Sequence, residues 1–218
     1  MIWLLVALFM IPLAIHLVAL PVTALRNNNQ LPWEIWMTPA EDGLYHTPEG
    51  RGWGALTKGQ LINRLVLNAV VGLIAVSIFA FFEEIGWRAW MQPRLVELYG
   101  MRSGILMGAV IWALWHTPFA LSGIHHINGV PVWAMAFCSL IGLTGAGIVL
   151  GWLWLNTESI WIVSIGHGAL NNWGQYAFKF MREPEDEPMG IHENVALYAT
   201  VNVTLLLLGL IILVLGGI

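Results

Sequence analysis

Residues 65–88 read LVLNAVVGLIAVSIFAFFEEIGWR, and this stretch decides the fold. Residues 65–82 carry no charge at all, and with their neighbours they supply the roughly 20 mostly apolar residues that a membrane-spanning helix needs. The run then ends on Glu83, Glu84 and Arg88. An ionisable group placed centrally in a spanning helix costs roughly 2.5–3.5 kcal/mol on insertion scales, and groups kept at that cost pair with one another or face a polar cavity. Glu84 and Arg88 are four residues apart, so they share a helix face and can form an ion pair. Glu83 is turned away from Glu84 by about 100° on an α-helix, which leaves it free to point elsewhere. The plain alternative for this stretch is an interfacial cluster of charges closing a helix near one membrane face.

Working outward, the whole chain has the same character. Of its 218 residues, 58% are hydrophobic and only 10% charged, whereas a soluble domain carries about 25% charged residues. The expectation is an integral membrane protein: an all-α, polytopic helix bundle, with residues 1–218 forming one membrane domain. Six candidate spans can be counted, at about 2–24, 62–90, 103–121, 132–155, 159–180 and 195–217. The first, with no positively charged segment ahead of it, reads as a retained transmembrane helix rather than a signal peptide. The second, roughly 40 Å long at 1.5 Å per residue, should break or stop at Pro93. The linkers differ from one another. Residues 26–61 are polar, rich in Pro and Gly and laced with tryptophan, as suits the membrane interface. Residues 181–194 form a polar, acidic loop. A chain with nine Lys and Arg and no basic run is not built for nucleic acid. The single cysteine, Cys138, rules out a disulfide within the chain and reads as a small buried apolar residue.

Two further spans carry polar groups. His116 lies in IWALWHTPFAL, two residues before Pro118, whose missing N–H frees the Leu114 carbonyl and favours a kink beside the histidine. His167 and Asn171, in IVSIGHGALNNWGQY, are four apart and share a helix face. Gly166 and Gly168 flank the histidine and leave room for a second backbone or a substrate. Asn172 and Gln175 continue the polar stripe and serve equally well as interhelical contacts. The other histidines, His16, His46, His125, His126 and His192, have no partner at helical spacing and are read as structural.

Two carboxylates, two histidines, an arginine and an asparagine on three helices make an acid–base site. A glutamate and a histidine can hold and deprotonate a water, while a second histidine and an asparagine donate to an oxyanion. The same chemistry admits a divalent metal, zinc among them, on Glu83, His116 and His167 with a position left open for water.

EEIGWR, WALWHTPF and HGALNN, in this order, resemble the motifs of the CPBP family, the CAAX-protease and bacteriocin-processing (Abi) intramembrane proteases. The resemblance covers roughly residues 65–180, within a catalytic core of about 62–180. It implies that Glu83 is the general base acting with His116 on the attacking water, that His167 and Asn171 form the oxyanion hole, and that Arg88 fixes Glu84. It implies a glutamate mechanism that requires no cofactor, with the metal form as the alternative. Its substrates would be membrane-associated proteins or peptides, prenylated or not, met in the bilayer of a prokaryotic cell membrane. Trp112 stands where the family commonly has Phe, an aromatic exchange suited to a packing position. Two other classes compete: an ion- or proton-coupled transporter, whose flux would depend on Glu83, and a non-catalytic immunity or scaffold protein, indifferent to that side chain.

Overall fold

The computed structural model describes residues 1–26, 39–46, 55–122, 130–174 and 191–216. The expected His125 and His126, Gln175 and most of the acidic loop lie outside these, as do 27–38 and 47–54 of the interfacial linker. The described chain is an all-α bundle with one small addition, an antiparallel pairing of β1 (Tyr45–His46) with β2 (Ala55–Leu56). Five helices among the described residues are long and apolar enough to cross a membrane, which makes this an integral membrane protein.

α1 (Ile2–Arg26) buries Ala7, Ile11, Ile15 and Ala19, a stripe spaced at four residues, against the bundle. His16 on this helix is spent locally, with Nδ1 donating to the Pro12 carbonyl at 2.7 Å, as a structural histidine should. After the β pair, Thr57 caps α2 (Lys58–Leu67) in a reciprocal box with Gln60: the Thr57 hydroxyl accepts from the Gln60 N–H, and the Thr57 N–H donates to Gln60 Oε1 at 2.9 Å.

From α2 the helix continues through a π turn (Asn68–Gly72), α3 (Leu73–Glu84), a second π turn (Ile85–Met91) and α4 (Gln92–Tyr99), forming one apolar rod from Lys58 to Tyr99. It does not end at Pro93, as the sequence suggested. The second π turn has already shifted the hydrogen bonding, with the Gln92 N–H reaching back five residues to the Trp87 carbonyl, and Pro93 then sits in the first turn of α4. A missing N–H is harmless there. Gln92 is buried beside the proline and donates from Nε2 to the Gly151 carbonyl at 3.0 Å.

α5 (Met101–Leu121) runs through Pro118 without interruption. It and α8 (Ile191–Leu215) make the largest contacts of α6 (Val132–Thr157). α6 is buried on nearly all sides over Gly142–Gly151, as expected of a helix apolar all round. The approach to α8 is backbone to backbone: a Cβ on Gly209 would lie 2.9 Å from Gly145 Cα. α8 starts four residues earlier than the acidic-loop expectation, which ran to 194. α7 (Ile160–Ala169) passes into a third π turn (Leu170–Gly174), where the described part of the fifth expected span stops. Cys138 is buried and free.

Candidate active site

The site is assembled where α3 meets α7. Ser77 on α3 and Gly168 on α7 are in direct contact, so close that a Cβ on Gly168 would lie 2.9 Å from Ser77 Cα. Gly166 meets Leu153 and Leu150 in the same way. Both glycines beside His167 are therefore filled by neighbouring helices, the first of the two uses that the sequence allowed. Phe81 stacks on Trp161 at a centroid distance of 4.5 Å and sets the neighbouring turn of the seam.

This seam delivers His167 to Glu84. Both are buried, at 1% and 0% exposure. Glu84 Oε1 accepts from Arg88 Nη1 at 2.8 Å and from His167 Nδ1 at 2.7 Å. The expected Glu84–Arg88 pair is thus present, with Arg88 itself 2% exposed, and His167 is a third member that helix spacing did not reveal. A carboxylate paired with an arginine accepts only, so the hydrogen lies on His167 Nδ1. Its Nε2 is then a lone pair in the neutral ring and a donor only in the imidazolium.

His116, half-buried, is arranged alike: Nδ1 donates to its own helix at the Trp112 carbonyl, 2.8 Å away, and Nε2 has no hydrogen-bond partner among the described residues. Glu83 lies within electrostatic reach of His116 and Arg88, and the two histidines lie within reach of each other. Five of the six expected residues therefore form one cluster. Oε2 of Glu83 and Oε2 of Glu84 are buried with no hydrogen-bond partner.

For Asn171 the contacts are fewer. A π turn begins at Leu170, between it and His167. Asn171 is half-buried, and its amide makes no hydrogen bond among the described residues. Its neighbour Asn172 does, donating to the Asn68 carbonyl at 2.9 Å, an interhelical contact of the sort the polar stripe suggested.

Among the described residues no three His, Cys, Asp or Glu side chains converge as a ligand group, Glu83, His116 and His167 included.

Two participants had no part in the site as read from the sequence. Ser77 brings a buried, unpartnered hydroxyl to the α3–α7 contact. Trp112 forms a wall of the cluster: the Arg88 guanidinium lies 4.7 Å above its ring, and His116 and His167 meet it edge-on at 4.7 and 5.3 Å. The advance signals for Trp112 were its place at the aromatic position of the second motif, read as packing, and its spacing of one helical turn before His116.

The family model described as type II CAAX prenyl endopeptidase Rce1-like matches residues 63–173, a segment that holds every residue of the cluster. The chain belongs to the Rce1-like family. This agrees with the CPBP resemblance of its three motifs. A relative, CAAX prenyl protease 2 of Methanococcus maripaludis, is 27% identical over 103 residues. That alignment covers 45% of this chain and 38% of the relative, so the chain matches well under half of the relative's length. No solved structure matches.

Proposed function

We propose that the protein is an intramembrane endopeptidase that hydrolyses peptide bonds of membrane-associated proteins or peptides of the CAAX type, with Glu83 as general base. The observation that carries this reading is the asymmetry of the glutamate pair. Glu84 Oε1 takes two donors, from Arg88 and His167, while Glu83 keeps a buried oxygen with no partner. One carboxylate is committed to holding a histidine and the other is available to a reactant. Adjacent carboxylates with such different surroundings divide acid–base roles.

In the reaction, a water held between Glu83 and His116 gives up a proton to Glu83 as its oxygen attacks the scissile carbonyl carbon. The C–N bond then breaks, and the proton passes from Glu83 to the leaving amine. His116 receives from the water through Nε2, because Nδ1 is tied to the Trp112 carbonyl. His167 faces the developing oxyanion as an imidazolium through Nε2, with Glu84 as its counter-ion, and Asn171 adds an amide donor. No metal takes part, and a prokaryotic cell membrane is the setting.

The test is cleavage of farnesylated and unmodified C-terminal peptides by the protein purified in detergent, compared with Glu83→Gln, His116→Ala and His167→Ala, with metal content measured on the same samples. Cleavage lost in Glu83→Gln and unaffected by chelators supports the reading. Undiminished cleavage by a folded Glu83→Gln protein would sink it. Stoichiometric zinc that disappears with His116 or His167 would replace it by a metal mechanism.

A further inference from the structure

Trp112 is 1% exposed, and its indole N–H is buried without an acceptor. A buried indole N–H ordinarily finds a partner. Packing alone does not call for an N–H here. The ring is fixed by Arg88 over one face and by the edges of His116 and His167. It is also seated on α6, where a Cβ on Gly147 would come within 3.2 Å of Trp112 Cε3. Cε3 and Nε1 lie on opposite edges of an indole, so the N–H is not on the edge that meets Gly147.

The cluster is rich in acceptors. Oε2 of Glu83 and of Glu84 await donors. Arg88 Nη1 and both histidine Nδ1 hydrogens are already committed. Hydrolysis of a peptide bond moves negative charge onto the carbonyl oxygen, and pre-placed donors at that oxygen are a large part of catalysis. A guanidinium over the indole face draws electron density from the ring and strengthens its N–H as a donor.

We infer that the Trp112 indole N–H donates a hydrogen bond to the scissile carbonyl oxygen as it becomes an oxyanion, which makes Trp112 a catalytic residue. This rests on the endopeptidase reading above. The indole adds a neutral donor that is available whatever the charge state of His167, whose Nε2 donates only as the imidazolium.

The experiment uses the full chain in detergent with a peptide that the wild type cleaves. Trp112 is replaced by Phe and, through amber suppression, by benzothienylalanine, which keeps the shape and the cation–π contact and removes only the N–H. Both should lose about 100-fold in kcat with KM within about twofold of wild type, the size of effect seen when an oxyanion donor is removed. Affinity for a peptidyl phosphinate, which mimics the tetrahedral intermediate, should fall in parallel, while affinity for an uncleavable D-peptide should not change. The inference is overturned by wild-type kcat in the benzothienylalanine protein, or by equal loss of affinity for phosphinate and D-peptide. Glu83→Gln runs alongside: if it cleaves like wild type, the base reading falls and the Trp112 role with it. If it is inactive while both Trp112 variants keep full kcat, the Trp112 role falls alone.

Discussion

The contact between the Lys58–Tyr99 rod and the α7 helix is finished at one end and unfinished at the other. Where the π turn at Asn68–Gly72 meets the π turn at Leu170–Gly174, the Asn68 carbonyl receives Asn172 Nδ2 at 2.9 Å and the Ala69 carbonyl receives Trp173 Nε1 at 3.1 Å. Toward the other end, from Ser77 to Glu84, four buried polar atoms are left without partners: Ser77 Oγ, Glu83 Oε2, Glu84 Oε2 and, from the neighbouring α5, Trp112 Nε1. Each unpartnered buried group costs about 1–3 kcal/mol. A π turn lies near both places and loosens the backbone ladder, but the four unpartnered atoms are all at the second end. Structural polar contacts complete themselves within the protein, and a site leaves room for a third party.

The largest effect that can break this contrast is expected from Glu83→Gln. An oxygen with no partner has no bond to lose, so the unfolding temperature should stay at the wild-type value while cleavage falls about 10³-fold, within the range for removing a general base. Parallel loss of stability and activity would mean that Glu83 is structural, and the unfinished end merely unfilled. Arg88→Ala comes next and acts the opposite way. It strips one donor from Glu84 and leaves a buried charge short of its counter-ion, which should destabilise the protein by about 3–5 kcal/mol. Unfolding in mixed micelles would read this, and a loss below 1 kcal/mol would show that the pair is not as dry as its 2% and 0% exposures indicate.

Between these two ends lies the point of closest approach. Gly168→Ala would drive a methyl group into Ser77 backbone and hydroxyl, and overpacking of this kind costs about 1–3 kcal/mol. Because the displaced helix carries Glu84, cleavage should fall by more than the stability loss explains. A Gly168→Ala protein with full activity would show that the seam does not set the distance from Glu84 to His167.

Much of this was legible in the sequence, and what was not shares one cause. The Glu84–Arg88 pair follows from four-residue spacing on a single helix, and the glycines around His167 announced a close approach. Neither depends on knowing which helices are neighbours. The His167–Glu84 bond joins residues 83 apart in the chain, and no periodicity encodes that meeting. The π turns escaped for the same reason: nothing in NAVVG, IGWRAWM or LNNWG distinguishes an α from a π turn, and cross-helix partners such as Asn172 on Asn68 become visible only in the fold. That blindness also carried the helix too short at Pro93 and hid the π turn that begins between His167 and Asn171. Trp112 was read as packing because an indole in an apolar run declares its ring and hides its N–H.

The smallest expected effect sharpens the comparison from the finished end. Asn172→Ala removes the donor to the Asn68 carbonyl, and side-chain hydrogen bonds between membrane helices are worth about 0.6 kcal/mol on average. The loss should be of that order, because Trp173 still holds the adjacent Ala69 carbonyl and the freed Asn68 carbonyl sits in a π turn that can relax toward α bonding. Activity should remain within about twofold, since 0.4 kcal/mol is close to a factor of two in rate. The neighbouring Asn171→Ala variant is the discriminating control. Asn171 makes no hydrogen bond among the described residues, so its removal should leave stability unchanged while lowering kcat, the reverse of Asn172. If the two asparagines exchange these signatures, the third π turn presents the other side chain to the site, and the boundary between the finished and unfinished ends must be moved by one residue.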